Sequence, residues 1–197
     1  LDVSDPAYIR DKDVANAAGA DGRRAYAVNA FMQYIGGAAL DVAFFTDEAT
    51  YDRDVTGAGI DYTEQLDQRN SSAYLNQVGN TSDDPHLGYL DQYLVHSSLA
   101  LEPIRTYQSD STRGNSLAQL FVLRGYTILQ MAEDLCPGFP INDAASDNQP
   151  LLSGPFTTDS AVKYAIVQLD SALAEMTDST SYKNVAHVLK GRALLDL

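Results

Sequence analysis

The side chains able to do acid–base, metal or nucleophilic chemistry are few in this sequence and poorly spaced for it. Two carboxylate pairs, Asp47-Glu48 and Glu133-Asp134, are adjacent in the chain. Glycoside hydrolysis needs two carboxyl groups a few Å apart across one bond. Neighbouring side chains on a helix diverge by about 100° around its axis, so neither pair makes such a couple by itself. His86, His96 and His187 are far apart and lack metal-ligand spacing. His96 and His187 fall within helical patterns, where a packing or capping role is expected. Cys136 is the only cysteine, so no internal disulfide can form. Its neighbours Glu133 and Asp134 disfavour a thiolate, and it reads as a small packing residue. No glycine-rich phosphate loop or nucleophile elbow occurs. The expectation is a non-catalytic protein with no catalytic residues, no metal and no cofactor.

Charge narrows the partners. Thirteen Lys and Arg stand against 27 Asp and Glu, a formal charge of −14. Phosphate binding needs clustered basic residues, so nucleic acid is not an expected partner. The acidic stretch 41–72 holds Asp52-Arg53-Asp54, and Asp11-Lys12-Asp13 lies near the start, but both lack the further ligand positions and glycine of a calcium loop. The apolar run Ala38–Phe45 is short of the ~20 residues that span a bilayer and carries Asp41.

The elements that must position any site are helices. Residues 1–19 read as an irregular lead-in, with a turn at Asp5-Pro6. From Arg23, Ala27, Ala30, Phe31, Tyr34 and Ile35 share one helical face, and Gly36-Gly37 is expected to end or bend that helix. A shorter apolar stretch follows from Leu40 to Phe45. Residues 51–84, rich in Asp, Asn, Gly and Ser, read as a long loop. A helix from His86 to Tyr107 carries Leu87, Leu90, Leu94, Ser97, Leu101 and Ile104 on one stripe, with Pro85 in its first turn and Pro103 near its end. The next is expected from Asn115 or Ser116 to Leu135, burying Leu117, Phe121, Ile128, Ala132 and Leu135. "CPGFP" then stops it, because Pro137 cannot continue a helix and Gly138 can take a left-handed backbone. After a proline-rich connection, Thr157 or Thr158 caps a helix that buries Ala161, Ala165, Ile166, Leu169, Ala172, Leu173 and Met176. A turn at 178–181 leads to a last helix from near Lys183. No period-two strand of useful length is seen, so the fold class is mainly α.

Two of these helices match. In "RGYTILQM" (124–131) and "KGRALLDL" (190–197) a basic residue precedes a glycine, and large apolar residues follow at the same offsets: Gly125, Ile128 and Met131 against Gly191, Leu194 and Leu197. Between them Ala165, Leu169 and Ala172 stand at i, i+4 and i+7. This is a tetratricopeptide pattern, in which small residues let paired helices approach and large ones fill the gaps. Gly125 and Gly191 are 66 residues apart, against a usual period of ~34. The surplus is mostly the 136–157 insertion. The expectation is a tetratricopeptide-like helical-hairpin scaffold over 115–197 with long irregular excursions, all in one region 1–197. Its last helix would be a first helix without its partner, which makes the scaffold incomplete at the C-terminus.

The combination of "LRGYTILQMAEDLCPGFPIND", "TTDSAVKYAIVQLDSALAEM" and "NVAHVLKGRALLDL", with "LDVAFFTDEAT" nearer the start, resembles the N-terminal part of the SusD/RagB family of outer-membrane nutrient-binding lipoproteins. The resemblance implies a cell-surface lid on a SusC-like TonB-dependent transporter that captures an oligosaccharide or other oligomeric nutrient. It also implies attachment to the outer membrane through a lipid anchor upstream of residue 1. Sugar platforms use flat aromatic faces beside amides or carboxylates. There is no Trp, but Tyr51, Tyr62 and Tyr74 lie in the polar 51–84 segment and are the candidate ligand contacts. A tetratricopeptide-type protein-interaction module that binds no glycan is the alternative.

Overall fold

The computed structural model describes residues 15–45, 85–135, 137–144, 150–177 and 180–197 and is mainly α-helical. Its contacts group the chain into two compact units, Leu1–Asn29 with Asp91–Leu197, and Ala30–Leu90.

Helix α1 runs from Ala17 to Phe45. It starts before the expected Arg23, with Asn16 Oδ1 accepting from the Gly19 amide in the manner of an N-cap. It also continues through Gly36-Gly37 and takes in the Leu40–Phe45 stretch, so the helix does not end there. Two glycines weaken a helix by roughly 1 kcal/mol each relative to alanine without ending it, where neither has to leave the helical conformation. In the larger unit α1 buries Ala20 and Ala27, and in the smaller unit Ala30, Phe31 and Tyr34 are buried.

Helix α2 spans Pro85–Tyr107 and keeps Pro103 within its last turns. Leu94, Ser97, Ala100 and Ile104 are fully buried on its stripe, joined by Tyr93. Helix α3 spans Asp110–Asp134, five residues longer at its start than the pattern predicts. Ser109 precedes it in extended backbone, and Asp110 in its first turn pairs with Arg113 at 2.6 Å, favourable at the positive end of the helix dipole. α3 buries Leu117, Leu120, Val122, Ile128 and Leu129 almost completely.

The connection after α3 is not irregular throughout. Gly138 takes φ +106°, a left-handed backbone that only glycine adopts freely. The chain then pairs with itself. The Gly138 amide donates to Phe156 O at 2.8 Å and the Phe156 amide to Phe139 O at 2.9 Å. Ser153 Oγ accepts from the Ile141 amide and donates to the Ile141 carbonyl. Strands β1 (Asn142–Ala144) and β2 (Pro150–Leu152) extend this antiparallel ladder, Asn142 opposite Leu152. Three-residue strands carry no readable alternation, which is why the sequence showed none. Phe139 and Ile141 are buried, so the ladder has an apolar anchor.

The ladder delivers the chain to Thr157, whose Oγ1 accepts from the Ser160 amide as the N-cap of α4 (Thr158–Glu175). α4 buries Ala161, Val162, Ala165, Leu169 and Ala172. Ile166, Leu173 and Met176, expected inside, are only half-buried. Helix α5 (Thr180–Leu195) follows, three residues ahead of the predicted start.

Candidate functional site

The site is the face that a glycine opens on each repeat helix. On α3 a methyl group at Gly125 would stand 2.6 Å from Leu169 Cγ and Cδ2, and 3.3 Å from the Ala165 carbonyl oxygen. Gly114, eleven residues earlier and on the same stripe, faces α4 the same way. A methyl there would stand 2.5 Å from the Glu175 carbonyl oxygen. Position 114 therefore meets the end of α4 and position 125 its middle, so the two helices run antiparallel. Two close approaches about 16 Å apart along α3 let the backbones come together over three turns. Leu169, fully buried, fills the gap that Gly125 leaves.

A polar knot sits beside this seam. Arg124 is 2 % exposed. Its Nε donates to Gln168 Oε1 at 3.0 Å, and one terminal nitrogen donates to the Leu94 carbonyl at 2.9 Å and to the Ser97 and Ser98 hydroxyls at 2.8 Å each. One guanidinium thus ties α2, α3 and α4, using the fixed donor fork that lysine lacks. Tyr93 Oη donates to the Leu120 carbonyl at 2.7 Å from the same buried layer, and burial pushes its phenol far above the ordinary value of 10, with Arg124 opposing. A second polar chain joins three helices: Arg24 donates to Gln119 Oε1, and Gln119 Nε2 donates to Tyr182 Oη at 2.6 Å.

On α5 the basic residue before the glycine again reaches α4. Lys190 pairs with Asp170 at 2.5 Å, where Arg124 binds Gln168. Arg192 pairs with Glu133 of α3. Partial burial raises the Glu133 carboxyl above its ordinary value and the Arg192 charge opposes that shift. The inner face of α5 is seated through Ala186, Leu189 and Ala193. Its other face is open. Nothing lies within 4 Å of a methyl placed at Gly191. Val188 is 71 % and Leu195 88 % exposed, whereas their counterparts one repeat earlier, Val122 and Leu129, are 0 % and 1 % exposed.

The structure thus brings together Gly125, Ala165 and Leu169, with Ile128 and Ala172 fully buried in the same pair of helices. It leaves Gly191 and Leu194 at the surface, Leu194 at 57 % exposure. Tyr51, Tyr62 and Tyr74 lie outside the described residues, as do Cys136, Asp47-Glu48 and the two acidic triplets. His96 is half-buried and stacks edge-on to Tyr26 at 4.5 Å between ring centres. His187 is exposed, so the packing role expected for it is corrected. Its place on the α5 pattern opposite Ala186 and Ala193 turns it outward. Sequence reasoning passed over Gly114 and the knot around Arg124. The signal for the second was present in the basic residue preceding each repeat glycine. Among the described residues no helix is long and apolar enough to cross a membrane. No family model matches the chain, and comparison with curated proteins and with solved structures likewise found no match.

Proposed function

We propose that this chain is a non-catalytic binding component of an outer-membrane nutrient-uptake complex, a lid on a SusC-like TonB-dependent transporter that captures a glycan or another oligomeric nutrient. The reading starts from the resemblance to the SusD/RagB family. The observation that supports it is the hairpin of α3 and α4: two helices closed tightly over Gly125 and Gly114, yet joined by a 22-residue excursion with its own ladder. A plain helical repeat needs only a short turn at that point. Insertions of this length on a rigid scaffold are where binding residues are commonly carried. The helices then act as the frame, and ligand contacts fall to segments outside them, Tyr51, Tyr62 and Tyr74 being the first to test.

The test is co-expression with a candidate TonB-dependent receptor of the SusC type, followed by affinity purification and a glycan-array measurement on the purified complex. Recovery of both proteins together, with at least one glycan class retained and lost on Tyr51→Ala, Tyr62→Ala and Tyr74→Ala combined, supports the reading. Retention of no oligomeric nutrient and no association with the receptor would reject it.

A tetratricopeptide-type interaction module is the second reading. It is favoured by the open apolar face of α5, which is the kind of surface such modules present to a partner. A folded partner protein that saturates the chain while every glycan fails to bind would select it.

A further inference from the structure

We propose that the open face of α5 formed by Val188, Gly191 and Leu195 is a docking groove for one antiparallel amphipathic helix. That helix would carry an alanine–leucine–alanine stripe at i, i+4 and i+7, with acidic residues on one flank. The inference rests on the internal repeat and on the charge along the edge of α5, and it holds under either reading of function above.

The occupant is read from the other copy of the same face. Shifting α3 by 66 residues places Val122 on Val188, Gly125 on Gly191 and Leu129 on Leu195. In α3 that stripe is buried, and at its centre Leu169 of α4 is set into the space over Gly125 with Ala165 beside it. In α5 the same stripe, with the same residue types, is open. The inner face of α5 is already occupied through Ala186, Leu189 and Ala193, so the open stripe cannot be covered by rotating the helix. A glycine at the centre of an exposed stripe weakens the helix and gains nothing from solvent. It is useful where another backbone must come close. A large side chain opposite Gly191 and small ones on either side are what the groove accommodates.

Charge fixes the flank. Lys183 and His187, one turn apart, are exposed along one edge of the open stripe. On the seated side, Lys190 has already taken an acidic partner, Asp170, from α4. A partner with Asp or Glu along the Lys183 edge complements it. A second copy of α5 would bring another glycine and another Lys183 instead, leaving the groove unfilled and like charges together.

Residues 157–177 of this chain are themselves a helix of the required kind, with Ala165, Leu169 and Ala172 on the stripe and Asp159, Asp170 and Glu175 around it. A capped, fluorescein-labelled peptide of that sequence is therefore the probe, titrated with the full chain and followed by fluorescence anisotropy. Saturable binding is expected, weakened at least tenfold by Gly191→Leu in the chain or by Leu169→Asp in the peptide. Gly191→Leu does not lower the melting temperature, because nothing lies within 4 Å of a methyl at that position and leucine favours the helix over glycine. Three results would each overturn the proposal. One is absence of saturable binding up to millimolar protein. Another is binding that Gly191→Leu leaves unchanged, which would mean the peptide displaces α4 from α3. The third is a concentration-dependent dimer in sedimentation equilibrium that Gly191→Leu abolishes and the peptide does not compete with, which would assign the face to a second copy.

Discussion

Leu169 fills the space that the missing side chain of Gly125 leaves, its Cγ and Cδ2 2.6 Å from where a methyl at that position would stand. Gly191, the repeat counterpart, has no neighbour within 4 Å of the same point. One substitution should therefore have opposite signs at the two sites. Gly→Ala in a helix interior gains up to ~1 kcal/mol through backbone entropy and propensity. At Gly191 nothing opposes that gain, and Gly191→Ala should raise the melting temperature by roughly 2–4 °C. At Gly125 overpacking, typically ~1–3 kcal/mol, exceeds it. Gly125→Ala should lower stability by about 1 kcal/mol and Gly125→Val by more. Thermal and urea denaturation of the three variants decide this, and equal effects of alanine at both positions would dissolve the asymmetry between the two faces.

Gly114 sets a stricter condition. The atom a methyl would meet is not a side chain but the Glu175 carbonyl oxygen, at 2.5 Å, with the Thr177 methyl group at 3.3 Å. A leucine can change rotamer, whereas a carbonyl at a helix end moves only with its backbone. Gly114→Ala is expected to be more destabilising than Gly125→Ala, by roughly 1 kcal/mol or more. Amide exchange near residues 172–177 should accelerate with it, because α3 and α4 must part at that end. Unchanged exchange there would show that the helices do not meet as described.

The knot around Arg124 gives a prediction about residue type rather than size. Arg124→Met preserves most of the apolar stem but removes the donor to Gln168 and Ser97 in a buried layer. Each unsatisfied buried group costs about 1–3 kcal/mol, so a loss of about 3 kcal/mol is expected. Arg124→Lys should recover little of it, because one ammonium cannot reproduce donors on two nitrogens directed at Gln168 and at α2 together. Melting temperatures within about 1 °C for wild type and Arg124→Lys would mean that charge alone, not the fork, holds the three helices.

How far these features could be read from the amino-acid sequence depends on the range of the interaction involved. The mainly α class and the helices were legible because each carries its own 3.6-residue apolar period, as with Leu94, Ser97 and Ile104 on α2. The "CPGFP" stop was legible because proline and glycine act locally. Helix starts were missed where a local rule met a distant partner. Gly114 weakens a helix start by propensity, yet it lies inside α3 because the end of α4 needs that space. Gly36-Gly37 reads locally as an end or bend, but glycines can stay helical inside a 29-residue element. The ladder from Phe139 to Phe156 was missed because its pairing spans a connection and its strands are three residues long. The knot around Arg124 draws on residues up to 44 positions away, and nothing in the immediate surroundings of residue 124 specifies Gln168 or Ser97.

His96 supplies a pH dependence whose direction is fixed by its surroundings. Burial, helped by the positive charge of Arg23, holds its imidazole below the ordinary value of 6.5, and the Tyr26 ring packs edge-on against it at an interplanar angle of 84°. Above pH 6.5 the folded and unfolded chains both keep His96 neutral, and its contribution to stability is complete. As pH falls below 6.5 the unfolded chain takes up the proton first, so stability is lost progressively until the pH passes through the lowered folded value. Acidification also neutralises carboxylates in a chain of net charge −14, which relieves repulsion and acts in the opposite direction. The quantity to compare is therefore the difference between wild type and His96→Phe, which retains a ring against Tyr26 and carries no titrating group. Urea midpoints measured at pH 7.5, 6.5 and 5.5 should converge or cross as pH falls, with the wild type losing ground to the variant. The imidazole proton signals of His96 should titrate with a midpoint below 6.5. A midpoint at or above 6.5 would contradict the burial of this ring between α1 and α2.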